Sequence, residues 1–144
     1  MFIGEYRHTI DTKKRVAIPA RFRKDMGQRV VVTRGLDSCL FIYPLKEWET
    51  LAESLSKLPT GKAETRSFVR LMLAGALDLD VDSLGRILLA DYLRAYAALG
   101  KKVVIAGVYN RLEVWDEGKW AEYKNKAEQS SESIAEKLGD LGVY

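Results

Sequence analysis

Strict alternation opens the chain: Tyr6, His8 and Ile10 fall on one side of an extended segment, Arg7, Thr9 and Asp11 on the other. The alternation returns 71 positions later, with Leu77, Leu79 and Val81 set against Asp78, Asp80 and Asp82. A period of two marks a strand with one buried face. After each segment come a charged turn and a second short run, 15–18 and 86–89, so the pattern predicts a hairpin at each place. Gly85 occupies a turn position that calls for a positive φ, and Lys14 holds the same position in the first copy.

Beyond each hairpin tip a short helix is signalled. Pro19 lies in its first turn and Gly27 just past its end, and Ala90 and Gly100 bound the counterpart. A second hairpin follows in both copies, 29–33 with 40–43 and 102–106 with 112–115, joined by turns that contain Gly, Asp and Asn. Leu45, Trp48, Leu51, Leu55 and Leu58 recur at helical spacing across 45–58, and Pro59, Thr60 and Gly61 end that helix. A further helix over 62–73 gathers Phe68, Leu71 and Met72 on an apolar side, read as core or subunit contact, with Arg66 and Arg70 on a basic one. Residues 116–128 repeat the Trp-bearing helix, and a polar tail from Gln129 carries Ile134, Leu138 and Leu141.

Gly4 answers Gly75, Asp11 answers Asp82, Arg15 answers Arg86 and Phe22 answers Leu93, all at 71 positions; Tyr43 and Trp48 answer Trp115 and Trp120 at 72. The chain is an internal duplication with one residue inserted in the second copy. Two copies are too few for a solenoid, so they are expected to pair about a pseudo-twofold axis. The organisation expected is a first repeat with its helix over 1–58, a linking helix over 59–73, a second repeat over 74–128 and the tail over 129–144.

Charge sharpens the picture. The net value is only +3, yet residues 1–35 hold nine Lys or Arg against Glu5, Asp11 and Asp25, whereas residues 74–117 hold five against seven acids. The first copy therefore supplies most of the attraction for a polyanion. Hydrophobic residues at 47% suffice for a core. The longest apolar run, 103–109, is too short to span a bilayer, and no signal-peptide layout opens the sequence; the expected location is the cytoplasm, without a membrane partner.

Catalytic chemistry finds little footing. His8, the single histidine, lies on the apolar side of its strand, and the lone Cys39 sits in an apolar run, so both are read as structural. Asp78, Asp80 and Asp82 lack the glycine and distal glutamate of a calcium loop and are read as solvated or paired with arginine. No phosphate-binding glycine loop occurs. No enzyme activity, small-molecule substrate, metal or cofactor is expected.

What recurs is Asp-x-x-x-Arg at a hairpin tip. Asp11 and Asp82 are read as structural turn residues together with Gly85. Arg15 and Arg86 are read differently: guanidinium groups on a protruding ribbon suit phosphates and guanine edges, and Lys13 and Lys14 stand beside one of them. Two-stranded ribbons enter DNA grooves as helices do.

The stretches MFIGEYRHTIDTKKRVAIPARFR, FIYPLKEWETL, RLMLAGA and DSLGRILLADYLRAYAALGKKVVIAGVYNRLEVWD together resemble the MraZ family of bacterial transcriptional regulators, with the likeness fading after residue 128. The resemblance implies an α+β protein with a mainly β core. Its plan is two tandem swapped-hairpin, AbrB-like (SpoVT-AbrB-like) β-barrel repeats that pair within one chain, and the chains assemble as a ring homo-oligomer. It implies a cytoplasmic, nucleoid-associated DNA-binding protein that binds direct repeats in double-stranded DNA upstream of its own operon, in the cell division and cell wall cluster, and usually represses it. Arg15 and Arg86 inherit the DNA-contacting role, with Lys13 and Lys14 as neighbours. Arg7, one of the nine basic residues of 1–35, is read as a further DNA-binding residue on the preceding strand. The family's first motif commonly has Gly where this chain has Lys14.

Adding the charge count to a ring suggests one strongly basic head and one weak one per chain, with useful affinity arising when several chains meet several repeats. The competing reading is an antitoxin-like swapped-hairpin protein that masks a partner protein, with DNA binding secondary.

Overall fold

A computed structural model describes residues 1–143. In the first repeat, β1 (Phe2–Thr9) and β2 (Arg15–Ala17) lead through a 3-10 turn (Ala20–Phe22) to α1 (Arg23–Met26), then β3 (Arg29–Arg34), β4 (Leu40–Pro44) and α2 (Leu45–Ser56). α3 (Ala63–Ala74) links the repeats. The second repeat comprises β5 (Leu77–Asp80), β6 (Arg86–Leu88), α4 (Asp91–Tyr96), β7 (Lys102–Tyr109), β8 (Leu112–Asp116) and α5 (Glu117–Gln129), and α6 (Ser131–Gly139) follows.

The first hairpin of each repeat is not closed within that repeat. Only its tip is, through Asp11 N donating to Arg15 O at 2.9 Å and Asp82 N to Arg86 O at 2.9 Å. β1 instead runs antiparallel to β7 with His8 opposite Val103, β5 runs antiparallel to β3 with Leu79 opposite Val30, and β2 pairs with β6. The reason is length: a three-residue β2 cannot satisfy the backbone groups of an eight-residue β1, and the eight-residue β7 can. Each repeat thus completes the other's sheet.

The architecture is α+β, with a six-stranded antiparallel sheet in the order β1-β7-β8-β4-β3-β5 and a separate β2-β6 pair. β1 and β5 are free edges, so the expected barrel is not closed; the repeats instead make an open sheet capped by the short ribbon. Val16, Ile18, Ile87 and Leu89 of the ribbon pack with Phe22, Leu93, Val30, Val103 and Ile105 in the larger core. Full burial of an aliphatic side chain of this size is worth about 1.5–3 kcal/mol, so the ribbon is anchored by its own inner face. On the opposite face Phe41, Tyr43 and Trp115 lie with Leu55 and Met72 of α2 and α3, flanked by Trp48 and Trp120.

Strand pairing refines the repeat spacing. Val30 and Val103 hold equivalent places at 73 positions, so two residues are added after α4 and one is lost in the following turn. α4 accordingly ends at Tyr96, before Gly100, and Ala98 (φ 48°) takes the left-handed place that Gly27 (φ 80°) fills in the first repeat. Gly100 instead donates its N–H to Asp116 Oδ1 at 3.0 Å. On α3, Met72 is buried, whereas Phe68 and Leu71 face outward. The segment after Gln129 is helical as α6, with Ile134 and Leu141 exposed.

Candidate nucleic-acid interface

Each Asp-x-x-x-Arg motif folds around its carboxylate. Asp11 Oδ1 accepts from the Lys13 and Arg15 backbone N–H groups, both at 2.9 Å, while Oδ2 accepts from Arg15 Nε at 2.8 Å. Asp82 repeats the arrangement with the Leu84 N–H at 2.9 Å, the Arg86 N–H at 2.8 Å and Arg86 Nε at 2.8 Å. The backbone N–H of the arginine, then its side chain, hold each carboxyl below the usual carboxylate range. An ionised Asp fixes the arginine through Nε alone, and the terminal Nη atoms have no protein partner among the described residues.

The two motifs are not separate heads. Arg15 stands opposite Leu88, Val16 opposite Ile87 and Ala17 opposite Arg86 in one antiparallel ribbon. Val16 and Ile87 are buried, so Arg15, Ala17, Arg86 and Leu88 share the outer face. On that face the two arginines are diagonal neighbours, a relation that places side chains about 7–8 Å apart. Each turn is also stitched to the other repeat: Ile18 N donates to Gly85 O at 2.8 Å and Leu89 N to Lys14 O at 2.9 Å. The ribbon exists only when both repeats are joined.

Lys13 and Lys14 project from the first turn. Lys14 lies with Thr12, Arg94 and Lys101 around a recess beside it. Arg7 stands apart, on the α5 side of the sheet with Glu5, Trp120 and Lys124, where Glu5 accepts from Lys124 Nζ at 3.0 Å and Trp120 Nε1 at 3.1 Å. His8 is half-buried, and burial, then the nearby Arg23, lowers its pKa. Burial raises the Cys39 thiol to about 12, and its Sγ donates to Leu36 O at 3.1 Å. Asp78 and Asp80 both receive hydrogen bonds from Arg29, at 2.7 and 3.2 Å. Among the described residues no group of His, Cys, Asp or Glu could hold a metal ion.

Sequence reasoning missed Arg23. Its Nε donates to Ile18 O at 2.9 Å, and the side chain crosses to the other repeat's turn, where a methyl group on Gly85 would stand 2.3 Å from that nitrogen. The equivalent Arg94 binds Leu89 O at 3.0 Å but also pairs with the Asp91 carboxylate. Arg23 has no carboxylate within ion-pair distance among the described residues, because Ala20 stands where the second repeat has Asp91. Strand exchange therefore carries a first-repeat charge to the second turn, and that turn is not the weak head its local sequence suggests. The 71-residue spacing of Arg23 and Arg94 was the available signal.

Two repeats that exchange strands to build one exposed, arginine-bearing ribbon define a tandem swapped-hairpin protein of the AbrB-like fold. A family model described as "MraZ protein, putative antitoxin-like" matches residues 1–71 and again 72–141, once per repeat. The chain belongs to the MraZ family. A protein of Natranaerobius thermophilus named "Transcriptional regulator MraZ" is 50% identical over 143 residues, covering 99% of this chain and 100% of the relative. A second of the same name, from Carboxydothermus hydrogenoformans, is 50% identical over 141 residues, covering 98% and 99%.

Proposed function

We propose that this chain is a DNA-binding transcriptional regulator whose β2–β6 ribbon enters the major groove of double-stranded DNA. The observation that carries the reading is the shared outer face of Arg15 and Arg86, each oriented by a carboxylate through Nε and with no partner for its terminal nitrogens among the described residues. A two-stranded ribbon fits a groove about 12 Å wide, and guanidinium forks suit guanine edges and phosphates. Lys13 and Lys14 on one turn and Arg23 on the other supply phosphate contacts at both ends. The names of the relatives support a role in transcription.

The finer reading follows from the family resemblance: chains assembled as a ring meet direct repeats upstream of their own division and cell wall operon and repress it. The chain's net charge of only +3 fits the multivalent part of this reading, because a single chain of modest charge gains useful affinity when several are held together.

The test is fluorescence anisotropy on a DNA fragment from upstream of its own gene, across a salt series, for the wild type and the Arg15→Ala, Arg86→Ala double variant. Tight wild-type binding that random DNA competes poorly, with a salt slope shallower by about one per lost phosphate contact in the variant, supports the reading. Equal binding by both proteins, or by neither, rejects it and turns attention to a protein partner.

A further inference from the structure

The ribbon is related to itself by the pseudo-twofold axis in backbone but not in chemistry. Lys13 corresponds to Leu84, Lys14 to Gly85 and Ala17 to Leu88. Leu84 at the tip of the second turn is 60% exposed, and Leu88, opposite Arg15 on the outer face, is 55% exposed. A single exposed leucine means little. Here two of them lie within five residues, on either side of Arg86: Leu88 on the outer face that Arg15 and Arg86 share, and Leu84 at the tip of the turn that leads into Arg86. Their neighbours Leu89 and Ile87 are buried, so the strand exposes Leu88 while anchoring the residues that flank it.

Resting on the DNA-binding reading above, we propose that Leu84 and Leu88 read the C5-methyl groups of thymine in the major groove, and that the ribbon is therefore a directional reader. The thymine methyl is the one apolar group that the base edges of B-DNA present there, and apolar side chains are its usual partners. At one end Lys13 and Lys14 lie beside Arg15 and Leu88 stands opposite it; at the other, Leu84 and Arg23 lie beside Arg86 and Ala17 stands opposite it. A twofold-symmetric reader matches palindromic sites. A reader with unlike ends fixes the orientation of each protomer on the duplex, and sites for several such protomers then follow one another in the same direction. The asymmetry of Lys13 against Leu84 thus supplies a physical reason for direct rather than inverted repetition.

Replacing thymine by deoxyuridine removes only the methyl group. The experiment titrates the fragment from upstream of the gene, in its thymine form and with every thymine replaced by deoxyuridine, against the wild type and the single variants Leu84→Ala and Leu88→Ala. Light scattering verifies that each variant keeps the wild-type assembly. A buried methyl is worth about fourfold in affinity, so the wild type should bind the uracil fragment at least about fourfold more weakly, and at least one variant should bind the two fragments more nearly alike. Tight wild-type binding that is indifferent to the methyl groups overturns the proposal while leaving the DNA-binding reading intact. So does a leucine variant that loses the assembly, which would make the leucines a subunit contact. No wild-type binding to either fragment overturns both.

Discussion

Lys14 and Gly85, equivalent in the two repeats, hold the same left-handed backbone conformation, with φ of 64° and 78°. Glycine adopts it freely; a side chain there costs about 1–2 kcal/mol. Lys14→Gly relieves that cost and loses part of it to the more flexible unfolded chain, so a net gain of about 0.5–1 kcal/mol is expected in urea unfolding. DNA binding should move the opposite way, with a salt slope shallower by about one. A variant that gains stability and keeps the wild-type slope would remove Lys14 from the interface.

Gly85 carries a second constraint, because Arg23 crosses over it. Gly85→Ala should cost about 1–2 kcal/mol from the left-handed backbone and should also push the Arg23 side chain aside. Affinity for DNA should therefore fall. In a double-mutant cycle with Arg23→Ala the two losses should be less than additive; additive losses would mean that Arg23 does not reach DNA from that position.

The elements and the motif geometry were legible because they are local. Alternation from Tyr6 to Asp11 fixes which side of β1 is buried, and Asp11 binds groups only two and four residues away. Pairing partners were not legible in the same way. β1 reads equally well as half of a hairpin with β2, and only the length of β7, almost a hundred residues on, decides otherwise. For the same reason two heads read as separate became one ribbon, and Arg23 was counted with the wrong turn. The two residues added after α4 escaped notice because the chain recovers one of them in the next turn.

Asp11 and Asp82 set an acid limit. Their folded-state pKa values lie below the unfolded value, so the stability they contribute is present above the unfolded pKa and is lost as pH falls through the folded one. The urea midpoint should stay level from neutral pH down to about 5 and drop below about 4, where free aspartate titrates. Asp11→Asn with Asp82→Asn should be less stable at neutral pH and should flatten that drop. Parallel curves for the two proteins would place the acid sensitivity in other carboxylates, such as Asp78 beside Arg29.

Arg15 and Lys101 offer a contrast in position. Arg15 lies on the outer face of the ribbon, while Lys101 stands across the recess beside the first turn, on the loop after α4. Arg15→Ala should weaken binding to the upstream fragment by about tenfold, within the range of a good base or phosphate contact, and Lys101→Ala by less. Equal losses in anisotropy titrations would shift the interface from the ribbon face to the recess.

Arg34 joins the repeats from within. Its guanidinium lies 5.4 Å from the ring centre of Tyr92 and 5.8 Å from that of Tyr96, and it donates to Leu71 O at 3.4 Å. The same tyrosines donate their hydroxyls to Gly75 O and Gly35 O, both at 2.7 Å, so first repeat, linking helix and second repeat meet around one side chain. Gly75 leaves the space, since a methyl group there would stand 2.3 Å from Arg34 Nη1. Arg34→Ala should cost about 1–2 kcal/mol in urea unfolding without a change in slope. Arg34→Lys should recover less than half of that, because a compact ammonium cannot lie flat between two rings as a planar guanidinium does. Full recovery by lysine would show that charge alone, rather than stacking, holds the repeats in register, and the ribbon that depends on that register would then tolerate either residue.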